Sequence, residues 1–163
     1  MKKLAFLMIM MLSLVACSTT RNAATQKVDA QKVAAQIADS VNARTLKVTF
    51  NYVNPMRFPV HYLTTEYSLR IKGDSISSYL PYFGRAYRTD YGSTESPLIF
   101  EGHARNMDIS RYKKRGYRFV FEVTNKQQES FVYNLTIFSN GNATLNVNSN
   151  DRDPISFDGE VVR

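Results

Sequence analysis

Apolar positions recur first at helical and then at strand spacing along this chain. Val28, Val33, Ile37 and Val41 stand at nearly helical intervals, supported by Ala30, Ala34 and Ala38, while Lys27, Asp29, Lys32 and Asp39 take the other side. The pattern predicts one amphipathic helix over residues 25–41 that packs by a narrow, alanine-rich stripe. After Arg44 the period falls to two. Leu46, Val48, Phe50 and Tyr52 alternate with Lys47, Thr49 and Asn51, as in a strand with one buried face. Tyr67, Leu69 and Ile71 repeat the pattern, and Gly73-Asp74 turns the chain into residues 75–80. A short strand is expected at residues 98–101. Met107, Ile109 and Arg111 lead into the turn Lys113-Lys114-Arg115-Gly116, and Tyr117, Phe119, Phe121 and Val123 give the clearest alternation in the chain. Phe131, Tyr133, Leu135 and Ile137 answer it, Asn140-Gly141 supplies the next turn, and Ala143, Leu145 and Val147 continue on the far side. A last strand is expected at residues 155–162. Seven to nine short strands after a single helix, with no strand-helix alternation, predict a mainly β fold: a small antiparallel β-barrel or sandwich preceded by one N-terminal α-helix.

The residues ahead of the helix read differently. Lys2 and Lys3 precede an apolar run over residues 4–15, which is shorter than the roughly 20 residues a membrane-crossing helix needs. Leu14-Val15-Ala16-Cys17 has the form of a bacterial lipobox, so residues 1–16 are expected to be a lipoprotein signal peptide and Cys17 the lipid attachment site. Residues 17–24 are small and polar and read as a tether, leaving residues 25–163 as the β domain. By analogy with lipoprotein sorting, Ser18 after the Cys favours an outer membrane, with the domain expected to face the periplasm.

Composition narrows this further. The chain has 163 residues, 44% hydrophobic and 21% charged, which suits one ordinary domain and neither a disordered tail nor a polytopic membrane protein. Cys17 is the single Cys, so no intrachain disulfide can form and stability must come from burial. The net charge of +7 suits an anionic glycan, lipid or envelope protein as partner, while an envelope address argues against nucleic acid.

Four stretches carry candidate chemistry. Gly73-Asp74-Ser75-Ile76-Ser77 has the letters of an esterase nucleophile block, but a hairpin is the wrong context and the last His is His103, so a turn is the favoured reading. His61, Glu101, His103 and Asp108 lack the spacing of a closed metal site. Asn148, Asn150, Asp151 and Asp153 hold many oxygens but lack the Gly and distal Glu of a calcium loop, so a polar turn is favoured and no cofactor is expected. Residues 79–92 mix aromatics with arginines. Tyr79, Tyr82, Phe83, Arg85, Tyr87 and Arg88 could form a lip that stacks on rings and grips carboxylate or phosphate, or could plug the barrel end instead. Arg111, Lys113, Lys114, Arg115 and Arg118 cluster at a hairpin tip, read as solvated or touching anionic envelope surfaces.

Ser78-Tyr79-Leu80-Pro81-Tyr82-Phe83-Gly84-Arg85-Ala86-Tyr87, with Asn140-Gly141-Asn142-Ala143-Thr144-Leu145 and Asn148-Ser149-Asn150, resembles a family of Bacteroidetes lipoproteins that carry a domain of unknown function numbered 4251. The likeness runs from the predicted helix to Val162. It implies a lipocalin-like β-barrel on an envelope lipoprotein and supplies no activity and no catalytic residues. Absence of Trp excludes the Gly-x-Trp signature of true lipocalins, so the resemblance does not imply ligand carriage. The expected function is a non-enzymatic binding module for a small ligand or envelope component. The alternatives are a structural or assembly protein docking to another envelope protein and, less favoured, a serine esterase centred on Ser75.

Overall fold

The computed structural model describes residues 18–87, 96–113 and 116–162, with side chains from residue 28 onward. Cys17, Arg88, Lys114 and Arg115 lie outside the described residues, as does the expected signal peptide. The first element is α1 (Ser18–Asn42), which takes in residues that read as tether. Its apolar stripe is used only toward the C-terminus: Ile37 and Val41 are buried, Val33 packs against them, and Val28 is exposed. The helix stops at Arg44, whose left-handed backbone (φ 48) ends it much as a C-terminal glycine would. None of the described helical residues forms a stretch long and apolar enough to cross a membrane.

Among the described residues nine strands follow: β1 (Thr45–Pro55), β2 (His61–Lys72), β3 (Ser75–Tyr79), β4 (Ile99–His103), β5 (Arg105–Tyr112), β6 (Gly116–Thr124), β7 (Ser130–Phe138), β8 (Asn142–Asn148) and β9 (Ile155–Val161). All neighbours pair antiparallel, in the order β4-β3-β2-β1-β9-β8-β7-β6-β5. The two margins of this sheet are consecutive in sequence. In effect β4 and β5 are one long strand, interrupted at Ala104, whose first half pairs with β3 and whose second half pairs with β6. The sheet therefore curls into a nearly closed barrel, the arrangement that protects strand edges. Gly102 on β4 lies beside the Thr124 carbonyl of β6, and the Ala104 N–H donates to the Asp74 carbonyl at 2.7 Å.

Inward positions follow the two-residue period. Phe50, Phe119, Phe121, Phe131, Tyr133 and Phe157 are fully buried and fill the centre, with Phe50 against Phe157 at 5.6 Å and Phe121 against Tyr133 at 5.4 Å between ring centroids. Burial of each Phe contributes about 1.5–3 kcal/mol. Tyr133 brings a hydroxyl into this apolar space and needs a partner there. Ser78 supplies it: its Oγ donates to the Leu98 carbonyl at 2.7 Å, leaving Tyr133 to donate to Ser78 at 3.0 Å.

The barrel ends differ. One, the turn end, carries the tight hairpins at Gly73, at β5–β6 and at Gly141, and receives the C-terminus of α1. The other, the loop end, carries the connections 56–60, 80–98, 125–129 and 149–154. The expected mainly β fold with one leading helix is the fold observed.

Candidate functional site: the loop end of the barrel

Residues 80–87 form a strap rather than a free lip. Leu80 and Pro81 are buried, and the Ser96 Oγ fixes the Leu80 carbonyl at 2.7 Å. Beyond them everything converges on Asp153, whose side chain is only 2% exposed. Its Oδ2 accepts from the Arg57 Nε at 2.9 Å and from the Arg85 backbone N–H at 3.2 Å, and its Oδ1 accepts from the Tyr87 hydroxyl. The Asp153 N–H donates to the Arg85 carbonyl at 3.0 Å, and its carbonyl accepts from the Tyr82 hydroxyl at 2.9 Å. The Tyr87 hydrogen bond holds the Asp153 carboxyl below the usual range; burial opposes this, while the Arg85 N–H and Arg57 reinforce it. Arg57 is correspondingly raised, first by Tyr87 and then by Asp153.

A second pair braces the strap. Arg152 meets Glu129 at 2.6 Å, with side chains 15% and 11% exposed, and its guanidinium lies 5.3 Å from the Tyr82 ring centroid. Burial raises the Tyr82 hydroxyl to about 12, against a smaller opposing effect of Arg152. Tyr82 folds back over Gly84 so closely that a Cβ there would meet its hydroxyl at 2.5 Å, which accounts for the glycine within Tyr-Phe-Gly-Arg.

The six residues expected to form one lip are thus divided. Tyr82 and Tyr87 spend their hydroxyls on the strap, and Arg85 enters through its backbone while its side chain stays exposed. Phe83 is exposed and packs against His61 at 5.7 Å, whereas Tyr79 lies apart on β3, stacked on Tyr67 at 5.4 Å. Arg88 is outside the described residues.

Sequence reasoning passed over the neighbouring β1–β2 connection. Met56, Phe58 and Val60 are 64%, 52% and 60% exposed, and Tyr52 and Tyr62, T-shaped at 5.3 Å, flank them. Arg57 in the same connection reaches Asp153, which joins this apolar tip to the strap, Tyr87 and Phe83 in one rim. A signal existed: Met-Arg-Phe-Pro-Val between two strands has three large apolar side chains where a surface connection is usually polar.

The other candidates are dispersed. Ser75 opens β3 directly opposite His103 on β4, yet no hydrogen bond joins their side chains among the described residues, and the turn before Ser75 leads into a strand rather than a helix. Glu101 and Asp108 are exposed on β4 and β5, and no group of three or more His, Cys, Asp or Glu able to hold a metal occurs among the described residues. Of the polar stretch 148–153, Asp153 turns inward as the hub of the strap.

Fold and rim together define a nearly closed antiparallel β-barrel with an aromatic-rich core and a braced loop end. Residues 28–161 match the family described as Domain of unknown function (DUF4251), and the chain belongs to that family. The fold is similar to that of a DUF4251 family protein from Bacteroides eggerthii DSM 20697, known from a crystal structure, with a TM-score of 0.59 and 16% identity over 80% of this chain and 87% of the other. Comparison with curated proteins finds no match.

Proposed function

We propose that the protein is a non-enzymatic binding module of the bacterial cell envelope, lipid-anchored through Cys17 to the outer membrane and facing the periplasm, and that it holds its ligand on the loop-end rim. The observation that carries this reading is the rim itself: Tyr52, Met56, Phe58, Val60, Tyr62 and Phe83 are exposed there, whereas the aromatic side chains Phe50, Phe119, Phe121, Phe131, Tyr133 and Phe157 are buried in the barrel. Exposed apolar clusters of this kind mark interaction sites. Open tyrosine and phenylalanine faces suit sugar rings, and the half-exposed Arg57 with Arg85 beside them suits carboxylate or phosphate, so the ligand class is an anionic envelope glycan.

A second reading, docking onto an envelope protein, is favoured by Met56, Phe58 and Val60, whose aliphatic and phenyl surface a sugar does not require. Titration with purified acidic envelope oligosaccharides, followed by tyrosine fluorescence, separates the two. The glycan reading expects saturable quenching that Tyr62→Ala removes and Phe58→Ser leaves largely intact. No response to any glycan, with a partner protein retained by wild type and lost in Phe58→Ser, would favour docking. Incorporation of labelled palmitate, abolished by Cys17→Ser, tests the anchor.

A further inference from the structure

The turn end holds an arrangement that the rim does not explain. On the outer face of the β5–β6 hairpin, the Arg118 guanidinium lies 4.4 Å from the Tyr112 ring centroid and the Lys113 ammonium 5.2 Å from the same ring. Phe138 supports Tyr112 edge-on at 6.1 Å and is itself partly exposed, while Arg111, 4.7 Å from the ring of its cross-strand partner Tyr117, stands on the other, core-facing side of the sheet. Among the described residues neither Arg118 nor Lys113 is within ion-pair distance of a carboxylate, whereas Arg44, Lys47, Arg57 and Arg152 all are. Moreover, the Arg118 Nε is buried with no hydrogen-bond partner among the described residues. Shut off from water there, the guanidinium must satisfy its charge through its terminal nitrogens, and an incoming anion meets that demand. The rings meanwhile hold the cations in place before any ligand arrives.

We propose that this hairpin face is a docking surface for an anionic phospholipid bilayer. Charge complementarity argues for it, since Tyr112 holds two cations, Arg118 and Lys113, that have no ion-pair partner among the described residues, on a chain of net charge +7. The aromatic partners argue for a bilayer over a soluble anion: Tyr112 and the exposed Phe138 are the amphipathic and apolar side chains that settle at headgroup depth. The surface lies on the turn end, away from the rim, and is independent of which ligand the rim holds.

Co-sedimentation of the full-length chain with phosphatidylglycerol and with phosphatidylcholine vesicles tests this, comparing wild type with Lys113→Gln/Arg118→Gln. Both proteins carry the same N-terminal segment, so its contribution cancels. The expected result is a preference for phosphatidylglycerol that high salt abolishes and that falls about fivefold per cation removed, roughly twenty-five-fold for the two. Lys113→Gln alone, at an exposed turn position, should give about a fivefold loss and serves if the double variant fails to fold. Equal binding to both vesicles, or unchanged binding by the variants, overturns the proposal. Inorganic phosphate at constant ionic strength should leave vesicle binding intact; displacement by it would indicate a discrete phosphate site and overturn the bilayer.

Discussion

The Tyr87 hydroxyl donates to a carboxylate oxygen of Asp153, a residue 66 positions later in the chain. Through this bond and the backbone exchange with Arg85, one aspartate closes residues 80–87 over the loop end. Asp153→Asn keeps the shape but loses the charge that Arg57 and Tyr87 satisfy. It should lower the melting temperature and expose residues 81–87 to limited proteolysis while leaving the β-sheet circular dichroism unchanged. Proteolysis at the wild-type rate would mean that the strap is held by something else.

The same carboxyl fixes the acid limit. Its folded pKa lies below the ordinary 3.8, so its stabilisation is present above about pH 4 and is lost as the pH falls through the folded value. Glu66, lowered by its hydrogen bond to Lys47, acts in the same direction. Melting temperature followed downward from pH 6 should drop more steeply in wild type than in Asp153→Asn, the two curves converging at low pH.

Tyrosines set the alkaline limit with the opposite sign. Burial raises Tyr82 to about 12 and raises Tyr133 as well, so the folded state keeps protons that the unfolded chain releases near pH 10. Stability is therefore complete below pH 10 and falls as the pH climbs above it. Tyr133→Phe should cost about 1 kcal/mol at neutral pH for the lost hydrogen bond to Ser78, and should make the protein less sensitive to alkali. Denaturant melts at pH 7 and pH 11 give both numbers, and an unchanged alkaline slope would exclude Tyr133 as a cause.

Arg152 and Glu129 form a pair whose two halves are asymmetric to remove. Glu129→Ala leaves a mostly buried guanidinium without its carboxylate and should cost about 3 kcal/mol. Replacing both, as Glu129→Leu with Arg152→Met, should recover most of that loss, because neither site then holds an unpaired charge. Additive losses in the double variant would show that the pair does not act as a unit.

The strands were legible because each needs only its own alternation; the alternation from Tyr117 to Val123 announces β6, a strand of nine residues. The closure was not. β4 and β5 read as separate short segments, because their union through Ala104 depends on two partners, β3 and β6, that lie next to opposite margins of the sheet. The site was half legible for the same reason. Tyr82 and Tyr87 stood out as aromatics among arginines, but their partner Asp153 looked like any aspartate in a polar turn, and Arg57 reaches it across 96 positions. Local composition identifies turn chemistry; it does not tell which carboxylate will be turned inward by groups contributed from elsewhere.

Close approach of β1 and β9 gives a final prediction. Phe50 and Tyr52 are separated by a register shift against both neighbours, and the resulting bulge pushes β1 backbone onto Gly159, the partner of Phe50. A Cβ at Gly159 would stand 1.9 Å from the Thr49 carbonyl oxygen and 2.7 Å from the Phe50 Cα. Both obstacles are main chain, so no rotamer change relieves them, and Gly159→Ala should cost about 3 kcal/mol by forcing the ladder apart. Gly73→Ala is the control: that residue sits at φ +61 with nothing within 4 Å, so the penalty is the left-handed backbone alone, about 1 kcal/mol. Urea midpoints at equal slope should separate the two variants by roughly that difference. Equal midpoints would mean that β1 yields freely at its bulge, and that Gly159 is there for some reason other than the approach of Thr49.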